Sequence, residues 1–220
     1  LWILAHEQDA GRGRRGRAWA SPRGNLYASA LLTESMPAER ASLLGLAVAL
    51  AVADAMEDAA PEARGRLALK WPNDVLASGA KIAGILIEAE TEGSQTRLVI
   101  GVGVNCLLHP TDLPYPAASL RGLGAEATAA DLFHALSARW AEWLATWRLS
   151  SGFARIREAW LDRATGLGGP ITVRLPDSTL EGTFEDLDRQ GRLILKGADG
   201  VRKIIGYGEV FLGAPARADI

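Results

Sequence analysis

Arg12, Arg14, Arg15 and Arg17 are interleaved with Gly11, Gly13 and Gly16, and the run closes on Trp19. Guanidinium forks match phosphate oxygens, glycines let a backbone wrap closely round a ligand, and an indole stacks on a base. Four like charges in six residues repel one another, so the run implies an anionic partner. Gly11-Arg12-Gly13-Arg14-Arg15-Gly16 matches the dinucleotide fingerprint G-x-G-x-x-G, but that motif must run straight into a helix. Ala18 to Gly24, with Pro22, breaks any helix within a turn. A P-loop fails as well, because Arg17 and Ala18 stand where Lys and Ser/Thr are required. A disordered RNA-binding arginine–glycine segment is a third reading, but there is only one short run and the chain's formal net charge is -2.

Three further groups carry chemical side chains: Lys70-Trp71-Pro72-Asn73-Asp74, Lys81 to Glu88, and Gly101-Val102-Gly103-Val104-Asn105. Taken singly each has a plain structural reading. Lys81 would be a solvated charge at a strand start, Asn73-Asp74 a turn, and Gly101 to Gly103 a strand end with closely approaching backbones. His6, His109 and His134 have no metal-ligand spacing.

These residues need elements to hold them. Leu1 to Gln8 reads as a buried strand, Asp9 to Gly24 as a loop, and Asn25 to Thr33 as a second strand. Pro37 opens a helix to about Ala60 whose alanine-rich face suits close packing. Strands follow at Leu67 to Trp71, Lys81 to Glu90 after a turn at Ser78-Gly79, and Arg97 to Asn105. Strict alternation along the second of these puts Lys81 opposite Gly84 and Leu86, so either a bulge intervenes or Lys81 reaches round from the strand's mouth. Leu107 to Ala127 holds too many Pro and Gly for a regular element and reads as a long surface loop. Thr128 with Asp131 resembles a capping box opening a helix to about Leu149, and Phe153 to Arg163 is the next helix. Trp140, Trp143 and Trp147 form a core stripe facing the sheet. Beyond Gly169 come short strands at residues 171–175, 180–187, 192–196 and 201–205, with turns at Arg189 to Gly191 and Asp199-Gly200. The expected fold class is α+β: a mixed sheet packed with helices (residues 1–167), then a small β-barrel (168–220).

The chain's 220 residues and near-average composition suit one or two folded domains. Cys106 is the only cysteine, which points to a reducing compartment, and no segment has the length of a membrane span or the pattern of a signal peptide. A cytoplasmic location with neither membrane nor nucleic-acid partner is expected. An open sheet edge could pair two copies, so a homodimer is compatible with the pattern.

In their order along the chain the four groups resemble the biotin protein ligase family, with its motifs G-R-G-R-x-G-R-x-W, K-W-P-N-D, K-x-x-G-I-L-x-E and G-x-G-x-N. Weaker similarity runs through Ala117 to Leu120 and to Gly208-Glu209-Val210. The resemblance implies the class II synthetase-like biotin/lipoate ligase fold and a C-terminal SH3-like barrel. It also implies ATP and biotin as substrates with Mg²⁺, and a biotin carboxyl carrier protein as acceptor. By the same resemblance, Gln8 and Gly11 would line the ureido pocket, and Arg12, Gly13 and Arg14 would belong to a loop closing over biotin and the phosphates. Gly84, Leu86, Gly101 and Gly103 would complete the biotin site. Trp19 would cover the adenine, with Arg17 among the nucleotide's contacts. Lys81 would reach the biotin carboxylate and the α-phosphate, acting with Arg14 and Arg12. Asn73, Asp74 and Asn105 would lie near the nucleotide, Asp74 as a Mg²⁺ ligand or as the base for the transfer step. The loop is expected to be mobile without ligand. Family members carry a Ser-Thr-Asn segment before the first strand that helps hold biotin, and the given sequence starts after it, so the pocket is incomplete as given. No helix-turn-helix of the kind some members carry is visible, and the monofunctional type is expected. Lipoate ligases and octanoyltransferases share the fold, but the arginine loop and Lys-Trp-Pro-Asn-Asp favour biotin. The alternative of another class is a non-catalytic nucleic-acid-binding module.

Overall fold

A computed structural model describes residues 1–37 and 40–213. Its centre is a six-stranded sheet formed by β1 (Trp2–Ala5), β2 (Leu26–Glu34), β3 (Leu67–Lys70), β4 (Asp74–Ala77), β5 (Ala80–Glu92) and β6 (Gln95–Val104). The spatial order is β1-β2-β6-β5-β4-β3, and every ladder in it is antiparallel. Isolated parallel bridges, Leu69 to Ala164 and Lys81 to Ala117, give it the mixed character expected.

The alternation along β6 decides which face is which. Leu98, Ile100, Val102 and Val104 are buried, while Val99, Gly101 and Gly103 point to the opposite face, where a cavity opens. On the buried face lies α1 (Ala41–Ala59), whose first turn begins after the expected Pro37; residues 38–39 lie outside the described residues. Helix α1 is apolar almost all round, because α2 (Ala129–Trp147) and α3 (Gly152–Asp162) cover the side the sheet does not. Leu44, Ala47, Ala51, Ala53 and Met56 are essentially inaccessible. The tryptophan stripe of α2 is core as expected, but it packs chiefly on α1 rather than on the sheet, and Trp143 donates its indole N–H to Asp54 at 2.7 Å. The capping box is present: Thr128 N–H donates to Asp131 Oδ2 at 3.0 Å and Asp131 N–H to Thr128 Oγ at 3.2 Å.

The C-terminal strands are β7 (Pro170–Arg174), β8 (Thr179–Leu187), β9 (Leu193–Lys196), β10 (Arg202–Ile205) and β11 (Glu209–Leu212). They form an antiparallel sheet in the order β10-β9-β8-β7-β11; among the described residues no ladder joins β10 to β11 and closes a barrel. The turns at Gly191 and Gly200 take the positive φ that glycine allows. This sheet docks on α1, α3 and the β3–β4 turn: Gly191 sits against Leu43, Leu46 and Phe153, and its carbonyl accepts from the Trp71 indole at 3.1 Å.

Four segments differ from expectation. β1 is a four-residue edge strand with Ile3 and Leu4 half exposed rather than a buried strand over Leu1 to Gln8, because only β2 flanks it, and β11 lies beyond the last strand expected. Asp74–Ala77 is a strand rather than the end of a turn, and the 107–127 segment is not all surface. Ser119 and Leu120 are buried there, and the backbone polar groups find partners in Lys81, Asn105 and Cys106.

Candidate active site

The open sheet face forms the floor of a cavity of about 750 Å³, in the range of small-molecule sites. Cross-strand register builds the floor in rows. Tyr27, Gly103, Gly84 and Asp74 lie side by side across β2, β6, β5 and β4, and Ser29, Gly101 and Leu86 form the next row. Glycine at the centre of both rows leaves room above the sheet. The Trp19 indole already occupies part of that room: a Cβ on Gly103 would stand 2.6 Å from its Nε1, and one on Gly84 3.2 Å from its Cζ3. Trp19 Nε1 is buried without a hydrogen-bond acceptor. The indole therefore lies on the glycine floor beside Lys81.

Lys81 reaches this face because β5 bulges. Leu76 pairs with Lys81 while Val75 pairs with Ala83, so one extra residue intervenes and Lys81 joins Gly84 on the cavity side. Its amide donates to Pro116 O at 2.8 Å and its carbonyl accepts from Ala118 N–H at 2.9 Å. The ammonium lies 2.7 Å from Asp74 Oδ1, an ion pair whose angles miss hydrogen-bond geometry. It also stands 5.3 Å from the Trp19 ring centroid and 5.7 Å from that of Tyr115.

The arginine loop closes the cavity from above as a tight hairpin. Arg12 bridges Ala18, Gly13 N–H donates to Arg17 O at 2.8 Å, and Trp19 N–H to Gly11 O at 2.9 Å. Alternate arginines go to different strands or their flanks. Arg12 faces Glu88 of β5 at 3.6 Å, Arg14 donates to Asn73 Oδ1 at 3.2 Å, and Arg17 forms a two-pronged pair with Glu209 of β11. Arg15, at φ 58°, has no hydrogen-bond or ion-pair partner among the described residues.

The charge balance points to an anion. Six cationic side chains in the lining meet three carboxylates, and the carboxylates Asp74, Glu88 and Glu209 are each taken by Lys81, Arg12 and Arg17. Arg14 and Lys70 remain as partly buried cations without an ion-pair partner among the described residues. Burial is the main force pushing both pKa values down, helped by Arg15 at the first and by Lys81 at the second, while Asp74 pulls both up. A polyanion entering here would offset that desolvation by opposite charge. The site is locally positive on a chain whose net charge is negative.

Most of the expected residues meet at this cavity: Gln8, Arg12, Gly13, Arg14, Arg17, Trp19, Asn73, Asp74, Lys81, Gly84, Leu86, Gly101 and Gly103 all line it. Two do not. Gly11 is packed behind the wall, where a Cβ would stand 2.9 Å from Gln8 Oε1. Asn105 is buried and spends its side-chain amide on Ala118 O at 3.0 Å, so it holds the 116–118 segment against Lys81 rather than facing a nucleotide. Asn73 is held at both ends: its Nδ2 donates to Ile85 O at 2.7 Å. Lys70, Tyr115, Glu209 and Phe211 belong to the wall without having been assigned a role; Lys70, inside its motif, and Glu209, inside the weaker Gly208-Glu209-Val210 similarity, left a local signal. Among the described residues no group of three or more His, Cys, Asp or Glu could hold a metal ion.

Comparison with known proteins agrees with this geometry. Residues 1–105 match the model of the biotin/lipoate A/B protein ligase family, and residues 166–213 that of the biotin protein ligase C-terminal domain. A biotin--[acetyl-CoA-carboxylase] ligase of Paracoccus denitrificans is 42% identical across 96% of this chain and 90% of its own length. The chain belongs to the biotin protein ligase family. A bifunctional ligase/repressor of Bacillus subtilis is 32% identical, and the match takes in 63% of that protein. The solved biotin protein ligase of Aquifex aeolicus in complex with biotin and ATP superposes with a TM-score of 0.80 at 27% identity, covering 96% of this chain and 87% of that one.

Proposed function

We propose that this chain is an ATP-dependent biotin protein ligase acting at the cavity over the Gly84–Gly103 floor. The observation that carries the site assignment is the cation set above that floor: Lys81, Arg14 and Lys70 line one cavity, and among the described residues no carboxylate forms an ion pair with the last two. In the first step a biotin carboxylate oxygen attacks the α-phosphorus of ATP, the bond to the β-phosphate oxygen breaks, and pyrophosphate leaves. Two anions must approach, so neutralising charge at the transition state is the main requirement. Lys81 is placed to give up Asp74 for the substrate carboxylate and α-phosphate. Arg14, fixed by Asn73, and Lys70 would meet the remaining phosphate charge.

In the second step a carrier lysine loses its proton, attacks the acyl carbon of biotinyl-5'-AMP and expels AMP. The mixed anhydride must be kept from water, and the loop from Gly11 to Trp19 is the element positioned to do that. Asp74 suits a Mg²⁺ ion held mainly by nucleotide phosphates, since one or two carboxylates with phosphates and water satisfy that ion; bound there, Mg²⁺ supplies further charge neutralisation. The acceptor is a biotin carboxyl carrier protein such as that of acetyl-CoA carboxylase, met in the cytoplasm. The division at residues 167 and 168 places the cavity floor in the first unit and Glu209 and Phe211 in the second. The outer edge of β1 is the open edge through which two copies could pair.

The test is exchange of labelled pyrophosphate into ATP with biotin or lipoate as the acid. Biotin-dependent exchange is expected. Exchange with lipoate alone would assign the chain to the related lipoate chemistry, and salt-sensitive RNA binding without exchange would remove the enzymatic reading.

A further inference from the structure

We infer that Glu209 of the C-terminal sheet is a positioning residue for the reaction: it latches the arginine loop closed by holding Arg17, so the C-terminal sheet sets how long the activated intermediate is retained. The inference rests on the ligase reading of the cavity but on separate contacts. Arg17 and Glu209 are 192 positions apart and meet fork to fork, with one prong at 2.6 Å. Both prongs use charged partners, the geometry that makes an arginine–carboxylate pair directional.

A surface ion pair is commonly worth little, because both side chains are solvated and lose entropy on pairing. Glu209 is a different case. Its side chain is only 23% exposed, and its backbone is fixed in the β11 ladder opposite Arg174. The carboxylate therefore stands ready before Arg17 arrives. Arg17 holds its pKa below the ordinary carboxylate range, with Arg174 and Lys70 adding to the effect, so it stays charged at neutral pH.

The hairpin makes the latch effective. Arg17 O accepts from Gly13 N–H, and the next residue, Ala18, bridges Arg12, so fixing Arg17 fixes both arms of the loop. The other two anchors are weaker: Arg12 and Glu88 are 3.6 Å apart and largely exposed, and Arg14 donates one bond to a neutral amide. Arg17 is also the one of the four arginines paired with the C-terminal sheet. Loop order is thereby coupled to the docking of that sheet, which Trp71 and Gly191 secure from the other side.

Three variants test this: Glu209→Gln, Arg17→Glu, and the swap carrying both Arg17→Glu and Glu209→Arg. Amide hydrogen exchange of the peptide covering residues 9–20 reports loop order whether or not the protein turns over. Release of biotinyl-5'-AMP from the preloaded protein reports retention. Glu209→Gln is expected to speed both about fivefold, equivalent to about 1 kcal/mol, while peptides in α1 and β6 exchange as before. The swap is expected to return loop exchange to within about twofold of the parent. Unchanged loop exchange in Glu209→Gln, or a swap no slower in loop exchange than the single variants, would overturn the latch. Failure of the parent to form biotinyl-5'-AMP would instead strike the ligase reading, leaving the exchange result to judge the contact by itself.

Discussion

Lys81 owes its position to a paired carboxylate, two aromatic rings and a bulge, and each has a cost if disturbed. The Asp74 pair holds two side chains that are less than one-fifth exposed, so neither charge is free to wander. Lys81→Ala removes the cation facing the reacting centre and leaves Asp74 without its partner. Loss of one such group is expected to lower the rate of pyrophosphate exchange about 100-fold or more. Lys81→Ala with Asp74→Asn should recover thermal stability but not exchange. Recovery of exchange in the double variant would show that Lys81 only neutralises Asp74. At this scale much was legible in the sequence, because glycines and charged residues keep their spacing wherever the chain goes. Gly11 and Asn105 lie outside the cavity lining, because a motif groups residues by order, whereas a side chain faces a cavity or the core according to strand register. Nothing local marks Tyr115 or Phe211, and the Gly208-Glu209-Val210 similarity does not say what Glu209 touches, because these contacts are made far along the chain.

Among the elements, the sheet floor is the one that sets what fits. Gly84, Gly101 and Gly103 sit centrally on three antiparallel ladders, so their missing side chains create volume without weakening an edge. A branched side chain at Gly103 would project into the space held by Trp19 and its ligand. Gly103→Val is expected to weaken biotin binding about tenfold or more and to lower the melting temperature by a few degrees at most, since its Cβ would stand 2.6 Å from Trp19 Nε1 and displace an indole on the cavity floor rather than a side chain of the packed core. Titration calorimetry with biotin and a melting curve check both halves; unaltered biotin affinity would remove the floor from the binding site. The main strands were readable from alternating apolar residues, and α2 from Thr128 and Asp131. Strand β4 was hidden because Asn73-Asp74 carries turn chemistry immediately before it. The bulge at Ile82 was left open because a period-two pattern cannot say where an extra residue is inserted; only pairing with β4 decides it.

At the scale of the whole molecule, one sheet faces two ways. Its apolar face is sealed by α1, with α2 and α3 beyond, and its open face is roofed by the arginine loop and walled by the C-terminal sheet. The loop expected to be mobile has an anchor at each of three strands or their flanks, and one of those strands lies in the C-terminal sheet. That roof could not be read in advance, since it joins parts nearly two hundred residues apart. The groups Lys81 to Glu88 and Gly101 to Asn105 supply the floor; the balance of charges over it became visible only in three dimensions. The most direct measurement is the intact mass of a purified biotin carboxyl carrier domain after incubation with this protein, ATP, Mg²⁺ and biotin. The account requires addition of one biotinyl group at a single lysine, with AMP and pyrophosphate formed in equal amounts. An unmodified carrier, or one modified only when lipoate replaces biotin, would contradict it.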